Sequence, residues 1–257
     1  MKKPTILVCN DDGILAPGII ALATAMKEIG EVVIVAPDSP QSGMGHAISI
    51  TKPLRLEKCT YKDEFWGWQC SGTPADCVKL ARQVILKREP DILVSGINHG
   101  SNASVNVIYS GTMSAAMEGA LFHIPSIGFS LCDYGYDADF TASMKIAQTI
   151  VQQTLEKGMP KGTLLNVNIP KGTLAEIKGI KITRQAEARW TDEINDRIDP
   201  YNRPYYWLMG TFEVLDHGED TDLYALEHNY VSVCPVRYDF TAHHVKQELA
   251  QWNLELR

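Results

Sequence analysis

Short apolar runs alternate along the first half of the chain with stretches in which apolar residues recur every three or four positions. Residues 5–9 form an apolar, partly β-branched run that polar residues end abruptly, which predicts a strand buried on both faces. Residues 17–29 have helical periodicity, with Pro17 suited to the first turn and Gly30 to the C-terminal cap. Residues 32–35 form a second continuous apolar run. The chain therefore begins with a predicted right-handed βαβ unit, which implies a parallel sheet.

The same alternation continues to about residue 183. Thr73, Pro74 and Asp76 have the order of a helix N-cap, a first-turn proline and an acidic third position. Helices are predicted at residues 73–86, 113–122 and 140–155, and strands at residues 91–95, 124–129, 164–169 and 180–183. We therefore predict an α/β fold in which residues 1–183 form a Rossmann-like, doubly wound core with a mostly parallel sheet.

The pattern changes after residue 183, where polar residues and aromatics replace the regular alternation. The sequence predicts a hairpin at residues 205–214 around Gly210, a last strand at residues 230–236 and a terminal helix at residues 241–254. We predict that residues 184–257 form a C-terminal extension with a β-hairpin arm, rather than an independent domain. The aromatic residues of this segment indicate either an oligomer interface or ordinary burial against the main sheet.

Composition narrows the class of protein. The chain of 257 residues has 24 basic and 31 acidic side chains, so it offers no broad cationic surface to a nucleic acid duplex. The six cysteines include no CxxC pair, which indicates free thiols in a reducing compartment. The first apolar stretch is interrupted at Asn10 and is too short for a signal peptide or a membrane span. We expect a cytoplasmic protein with small-molecule partners and no membrane partner.

Polar loops follow three of the predicted strands, and loops at the carboxyl ends of parallel strands meet at one edge of a sheet. In chain order these loops contain Asn10-Asp11-Asp12-Gly13, then Ser42, then Asn98. Two adjacent carboxylates repel each other unless a cation or hydrogen-bond donors compensate their charge. Oxygen ligands of this kind suit magnesium or manganese better than zinc, which prefers imidazole or thiolate. Each motif alone also has a structural interpretation, because such residues are common in turns and helix caps.

Ser110, Gly111 and Thr112 stand at the predicted start of a helix. Exposed backbone N–H groups and the positive end of the helix dipole favour an anion at such a position. The tripeptide therefore indicates a phosphate site, although a role of Ser110 or Thr112 as a helix cap explains it equally well. No GxGxxG sequence follows the first predicted strand, which argues against a dinucleotide-dependent oxidoreductase.

Several motifs follow one another in order through the first half of the chain. They are Asn10-Asp11-Asp12-Gly13 with Ala16-Pro17-Gly18-Ile19, Ala36-Pro37-Asp38 with Ser42-Gly43, Gly72-Thr73-Pro74-Ala75-Asp76-Cys77-Val78, Ser95-Gly96-Ile97-Asn98-His99-Gly100-Ser101-Asn102, and Tyr109-Ser110-Gly111-Thr112 with Ala115-Ala116-Met117-Glu118-Gly119. Together they resemble the survival protein SurE family of 5′/3′-nucleotidases. Two features depart from the family pattern: Cys9 stands where Ser or Thr is frequent, and residues 103–107 lack an expected glycine and acidic residue.

The resemblance implies a metal-dependent phosphomonoesterase that hydrolyses nucleoside 5′- and 3′-monophosphates with one divalent cation, magnesium or manganese. It also implies a homodimer or homotetramer formed through the C-terminal arm. By position, it assigns metal ligation to Asp11, Asp12, Ser42 and Asn98. By position, it also places near the phosphate Asn10, Asn102, Ser110, Gly111 and Thr112.

The resulting hypothesis is in-line displacement by a water molecule, with Asp11 and Asp12 as the catalytic pair that holds the cation. In a second hypothesis Asp11 is a covalent nucleophile, although the DxD spacing usual for that chemistry is absent. In a third, the crevice belongs to a sensor or assembly protein and holds a nucleotide without turnover. The general acid, the base preference, activity on polyphosphate and the number of subunits stay open.

Overall fold

The computed structural model describes residues 3–135, 137–252 and 254, and a nine-stranded sheet forms its centre. The strands of this sheet are β1 (Thr5–Cys9), β2 (Glu31–Pro37), β3 (Leu56–Tyr61), β4 (Glu64–Cys70), β5 (Ile92–His99), β6 (Ser126–Cys132), β7 (Thr163–Pro170), β8 (Gly179–Ile182) and β13 (Tyr230–Arg237). In space their order is β3-β4-β2-β1-β5-β6-β7-β13-β8. All neighbours from β4 to β7 are parallel, whereas β3 and β13 run antiparallel to β4 and β7. The prediction of a mostly parallel sheet is confirmed.

Helices cover both faces of the sheet. The α-helices of the described residues are α1 (Pro17–Lys27), α2 (Pro74–Leu80), α3 (Gly111–Leu121), α4 (Thr141–Lys157), α5 (Asp222–Glu227) and α6 (His243–Leu249), of which α6 buries no side chain. Val8 of β1 belongs to the same buried cluster as Ile19 of α1, whereas Leu7 belongs to a second cluster with Met113 of α3. Successive strand residues point to opposite faces, so each face has its own apolar core. None of the helices in the described ranges is long and apolar enough to cross a lipid bilayer.

The C-terminal arm turns at a different place from the predicted one. Its strands are β9 (Ala188–Trp190), β10 (Glu193–Ile198), β11 (Pro204–Met209) and β12 (Phe212–Val214). Strand β10 pairs with β11 across residues 199–203, and β9 pairs with β12. The prediction of a turn at Gly210 was wrong. A Cβ atom at Gly210 would lie 1.9 Å from the carbonyl oxygen of Thr191, so this glycine allows close approach of two chain segments.

The structure also differs from the prediction at the β3–β4 hairpin, at β5 and at α6. Strands β3 and β4 form a hairpin that the apolar pattern does not predict, because most of their side chains are exposed or half-buried. Strand β5 continues beyond Ser95 to His99, after an irregularity in its pairing with β6. The terminal helix α6 ends at Leu249. None of its side chains is buried, so no packing contact stabilises a longer helix. Residue 253 of the predicted helix lies outside the described residues.

Gly18 brings helix α1 into contact with the backbone of β5. A Cβ atom at residue 18 would lie 1.9 Å from the carbonyl oxygen of Ile97. Because the obstructing atom belongs to the backbone, it cannot rotate away, and a larger side chain would push α1 off the strand. Ile97 directly precedes Asn98, so this contact also supports a residue of the candidate site.

The substitution Gly18→Ala is expected to lower the free energy of unfolding by about 1–3 kcal/mol or more, because the new methyl group overlaps backbone atoms. Thr24→Ala on the exposed face of the same helix is the matched control. It should change the free energy of unfolding by less than about 0.5 kcal/mol. Urea unfolding followed by circular dichroism measures both values, and a Gly18→Ala protein as stable as the wild type would contradict this account.

Candidate functional site

Asp11 and Asp12 follow directly after β1, an inner strand of the parallel sheet. Asn10 holds the turn that carries them, because its Nδ2 atom donates to the carbonyl oxygen of Gly13 at 2.9 Å. Gly13 has φ = +104°, a backbone conformation that glycine adopts without strain. Asn10 and Asp11 are buried and Asp12 is half-buried. The turn therefore fixes two carboxylates at the carboxyl end of the sheet.

The Asp11 carboxylate lies against the first turn of α3. Its Oδ1 atom accepts a hydrogen bond from Thr112 Oγ1 at 2.5 Å, and the Thr112 backbone N–H also donates to it. A Cβ atom at Gly111 would lie 2.6 Å from the Cβ atom of Asp11, so the glycine leaves room for the aspartate. Ser110 caps the helix by accepting a hydrogen bond from the Met113 N–H at 3.0 Å. The positive end of this helix therefore faces a carboxylate of the protein itself.

Hydrogen bonds from the protein only partly compensate the negative charge of the two carboxylates. Burial raises the pKa of Asp11 to about 6, against the hydrogen bond from Thr112, and the charge of Asp12 raises the pKa further. Burial also raises the pKa of Asp12, against a hydrogen bond from the backbone of His99. A cation placed between the two groups would favour their ionised forms.

The three loops predicted to converge do line one cavity, with a volume of about 360 Å³. The predicted site residues that line it are Asp11, Asp12, Ser42, Asn98, Asn102 and Ser110. The Nδ2 atom of Asn98 donates to the carbonyl oxygen of Gly100 at 2.8 Å. This bond assigns the amide nitrogen to Gly100 and leaves the side-chain oxygen as the atom that can ligate a cation.

Asn10, Gly111 and Thr112 are not among the described residues that line this cavity. The amide nitrogen of Asn10 is bonded to Gly13, and its buried Oδ1 atom has no hydrogen-bond partner within the described part of the chain. Thr112 is fully buried and bonded to Asp11. All three residues therefore shape the site through the Asp11 turn, and their contacts with phosphate stay predictions.

Asn102 is held by polar side chains of β6 and β7. Its Nδ2 atom donates to Ser130 Oγ at 2.9 Å, and its backbone N–H donates to Asn168 Oδ1 at 2.8 Å. Asn166 Nδ2 donates to the carbonyl oxygen of Asn102 at 2.9 Å and is itself linked to Asn168. All four side chains are buried, so this network fixes the loop that follows β5.

The cavity also contains residues to which the sequence assigned no role. They are Gly43, His99, Ser101, Asn106, Tyr109, Tyr134 and Trp190. The Nε2 atom of His99 lies 2.5 Å from the carbonyl oxygen of Gly135 and must carry a proton there, because a carbonyl oxygen only accepts. His99 lies in the polar motif around Asn98, so the sequence contained a signal for its place in the cavity. No motif or spacing in the sequence indicates that Trp190 lies near the loop after β1.

The converging donors have the chemistry of a hard-cation site. Within the described ranges, no three His, Cys, Asp or Glu side chains are grouped so that they could hold a metal ion. The atoms that do converge belong to two carboxylates, a hydroxyl and an amide. Oxygen donors of these kinds suit magnesium or manganese, with water or phosphate completing the coordination. Zinc sites in proteins usually include imidazole or thiolate ligands.

The chain matches known proteins over nearly its full length. A family model described as Survival protein SurE matches residues 6–192. The chain is 58% identical over 255 residues to a 5′-nucleotidase SurE of Christiangramia forsetii, covering 98% of each protein. It is 57% identical over 250 residues to a 5′-nucleotidase SurE of Cytophaga hutchinsonii, covering 97% of this chain and 96% of that protein.

A solved structure has the same fold. The crystal structure of the SurE protein from Aquifex aeolicus superimposes with a TM-score of 0.84 and 42% sequence identity. The superposition covers 96% of this chain and 98% of that one. With the family model, the relatives and the fold in agreement, the chain belongs to the SurE family.

Proposed function

We propose that the protein is a metal-dependent phosphomonoesterase that hydrolyses nucleoside 5′-monophosphates, and also 3′-monophosphates, to nucleoside and phosphate. The observation that carries this proposal is the convergence of two carboxylates, a hydroxyl and an amide on one cavity, from the loops that follow β1 and β2 and from the end of β5. Relatives that are 58% and 57% identical over nearly the whole chain are named 5′-nucleotidases, which supports the same activity here.

The proposed cation ligands are Asp11, Asp12, Ser42 and Asn98. A divalent cation such as magnesium or manganese supplies charge neutralisation and polarisation of a phosphoryl oxygen in this class of reaction. The raised pKa of Asp11 supports the assignment, because a carboxylate buried beside a second carboxylate gains most from a nearby positive charge. Ser42 is exposed on its loop, so its hydroxyl can turn toward the carboxylates without breaking a buried contact.

The remaining polar residues divide into two proposed roles. Asn102 and Ser110 line the cavity and are proposed to contact the phosphate directly. Thr112 acts through Asp11, since its hydroxyl and backbone N–H fix the orientation of that carboxylate. Gly111 permits this contact, and Asn10 holds the turn that places both aspartates. Such supporting contacts commonly affect metal affinity almost as strongly as the ligands do.

The C-terminal residues 184–257 are proposed to depend on the core formed by residues 1–183 rather than to fold alone. Strand β13 lies inside the main sheet, between β7 and β8. The buried Asp222 accepts hydrogen bonds from the backbone N–H groups of Ser104 at 2.7 Å and Ala186 at 3.0 Å. The bond from Ser104 ties the extension to the loop that precedes α3, and the bond from Ala186 lies within the extension.

The six cysteines are free thiols, and all but Cys132 are buried. Free thiols are typical of reducing compartments. We therefore propose that the protein works in the cytoplasm.

The arm supports a proposal of self-association. Exposed apolar side chains on β10 and β11 are Ile194, Ile198, Tyr205, Tyr206, Trp207, Leu208 and Met209. Within the described residues, these two strands pair only with each other. Because successive strand residues point to opposite faces, both faces of this hairpin expose apolar side chains. Such exposure is unfavourable in water and typical of an interface. We propose that the arm joins copies of the chain into a homodimer or homotetramer.

Asp11→Asn and Asp12→Asn are each expected to lower manganese-dependent phosphate release from AMP by roughly 100-fold or more, because each removes a charged cation ligand. Colorimetric phosphate detection measures the rate, and circular dichroism confirms the fold. Asp63→Asn in the turn between β3 and β4 makes the same chemical change away from the cavity and should keep full activity.

Undiminished turnover in either active-site variant would refute the cation assignment. Two outcomes point to the other hypotheses. A phosphoenzyme trapped by acid quench of the wild type would indicate that Asp11 is a covalent nucleophile. Tight AMP binding without phosphate release in the presence of manganese would indicate a nucleotide sensor.

Thr112→Val is expected to weaken manganese binding by roughly 10- to 100-fold, because it removes the hydroxyl that holds Asp11 while preserving the size of the side chain. Thr112→Ser retains the hydroxyl and should bind manganese with nearly wild-type affinity. Isothermal titration calorimetry measures both affinities without requiring turnover. Equal affinities for the two variants would show that the hydroxyl does not support the site.

Replacing Trp207 and Leu208 together by Glu is expected to lower the molar mass in solution, because charges on the apolar arm oppose association. Light scattering coupled to size-exclusion chromatography measures the mass. Phe65→Glu, at an equally exposed apolar position on β4, is the control and should leave the mass unchanged. A wild-type monomer, or an unchanged mass in the double variant, would overturn the proposed interface.

A further inference from the structure

The loop that carries Ser42 has no apolar anchor in the core. Residues 38–50 lie entirely within the described ranges, form no helix or strand, and include no buried residue. Gly43 and Gly45 have φ = +74° and +54°, in the left-handed region that glycine adopts without strain. A segment without buried residues gains little burial free energy to offset the entropy lost when it is ordered. The position of the Ser42 hydroxyl therefore depends on hydrogen bonds between this loop and the core.

Most of these hydrogen bonds use backbone atoms of the loop. They are Gln41 N–H to the carbonyl oxygen of Asp11 at 2.7 Å, Gly45 N–H to the carbonyl oxygen of Tyr109 at 3.1 Å, Thr73 Oγ1 to the carbonyl oxygen of Ala47 at 2.7 Å, and Ser49 N–H to the Asp76 carboxylate at 3.1 Å. Among the described residues, His46 is the one side chain of the loop that bonds to another element.

The partner of His46 is Glu118, a buried carboxylate on α3. Glu118 is 1% exposed and accepts hydrogen bonds from His46 Nε2 at 3.0 Å and from Lys79 Nζ of α2 at 2.5 Å. Burial raises the pKa of Glu118, but the bonds from His46 and Lys79 outweigh it and hold the pKa below its ordinary value. The ionised carboxylate only accepts, so Nε2 of His46 carries the proton. Glu118 is thus a fixed attachment point, because a buried carboxylate oxygen without its donor is costly.

Helix α3 makes both contacts that orient the proposed cation ligands. Its first turn holds Asp11 through Thr112, and Glu118 lies roughly two turns later, about 9 Å further along the helix axis. The loop after β1 and the loop after β2 are therefore both attached to one rigid element. This arrangement fixes the distance between Asp11 and the Ser42 loop.

We propose that His46 and Glu118 are positioning residues for Ser42: their hydrogen bond holds the loop where the Ser42 hydroxyl reaches a divalent cation bound by Asp11 and Asp12. The proposal rests on the proposed function, because it takes Ser42 as a cation ligand. Without the bond, the cation would have to order the loop each time it binds, and this entropy would be subtracted from its affinity. Neither positioning residue contacts the cation itself.

The test measures manganese affinity by isothermal titration calorimetry without substrate. His46→Leu removes the donor and is expected to weaken manganese binding by roughly 10-fold. His46→Gln retains an N–H group at the distance of Nε2 from the backbone and should bind manganese with nearly wild-type affinity. His217→Leu is the matched control, because His217 is exposed and does not line the cavity. It should leave the affinity unchanged, and circular dichroism confirms the fold of each variant.

A double-mutant cycle shows whether His46 acts through Ser42. Ser42→Ala alone is expected to weaken manganese binding by roughly 10- to 100-fold. Adding His46→Leu to Ser42→Ala should weaken it no further, because the ligand that His46 positions is already absent. Glu118→Gln, which keeps the size of the side chain but loses its charge, should likewise weaken binding only when Ser42 is present.

The kinetics of AMP hydrolysis give a second readout. His46→Leu should require roughly 10-fold more manganese for half-maximal rate, because the loop must be ordered by the cation. At saturating manganese its kcat should lie within about twofold of the wild-type value, because the assembled site is the same. A general defect in the active site would instead lower kcat at every manganese concentration.

Two results would overturn the positioning role and leave the proposed function in place. One is wild-type manganese affinity in His46→Leu, and the other is a double variant in which the two losses add. Unchanged affinity in Ser42→Ala would remove Ser42 from the proposed cation ligands and the positioning role with it. The predicted pattern of manganese affinities without any phosphate release from AMP would contradict hydrolysis and support the positioning role.

Discussion

The contact between Asp11 and the first turn of α3 is the interaction on which the candidate site depends. It joins the end of β1 to the start of a helix that lies about 100 residues later in the chain, through one hydroxyl and one backbone N–H group of Thr112. A helix N-terminus can bind a free anion directly. Here it is directed at a protein carboxylate, so its positive end stabilises the ionised form of Asp11, the proposed cation ligand. Gly111 makes this possible, because a larger residue would occupy the space of the aspartate.

The arm and the core share the cavity. Trp190 belongs to β9, which pairs with β12, and the exposed β10–β11 hairpin continues from the same two strands. The hairpin proposed to join copies of the chain and the cavity residue Trp190 are therefore parts of one short structural element. A shift of the hairpin on association would reach Trp190 through only a few residues.

Much of the fold could be predicted because the central strands are buried on both faces and the helices have one apolar face. Thr73 was predicted as a helix cap, and it accepts from the Asp76 N–H at 3.2 Å while Asp76 accepts from the Thr73 N–H at 3.0 Å. The β3–β4 hairpin was not predicted, because half-exposed strands give a weak periodic signal in the sequence. Gly210 was misassigned because a glycine between two strands marks either a turn or a close approach, and only the tertiary structure separates the two.

The site was predictable where it follows from topology. Loops after parallel strands must meet, and this rule predicted that the loops containing Asp11, Asp12, Ser42 and Asn98 share one edge, where they line one cavity. The choice of these four residues within the loops came from the family resemblance. The rule does not say which partner each side chain contacts, so it could not predict the hydrogen bond between Thr112 and Asp11. Trp190 lies outside the parallel core and reaches the cavity only because the arm folds back over the loop that contains Asn106.

The position of β13 constrains how the protein can be made. Strand β7 has β13 as one of its two neighbours, and β8 pairs with β13 alone in the main sheet. Both strands therefore stay incompletely paired until residues 230–237, which are synthesised after them, have left the ribosome. Until then β7 presents an unpaired edge, the kind of surface that recruits strands from other chains. The nascent chain thus has reason to depend on rapid synthesis of β13 or on a chaperone that covers that edge.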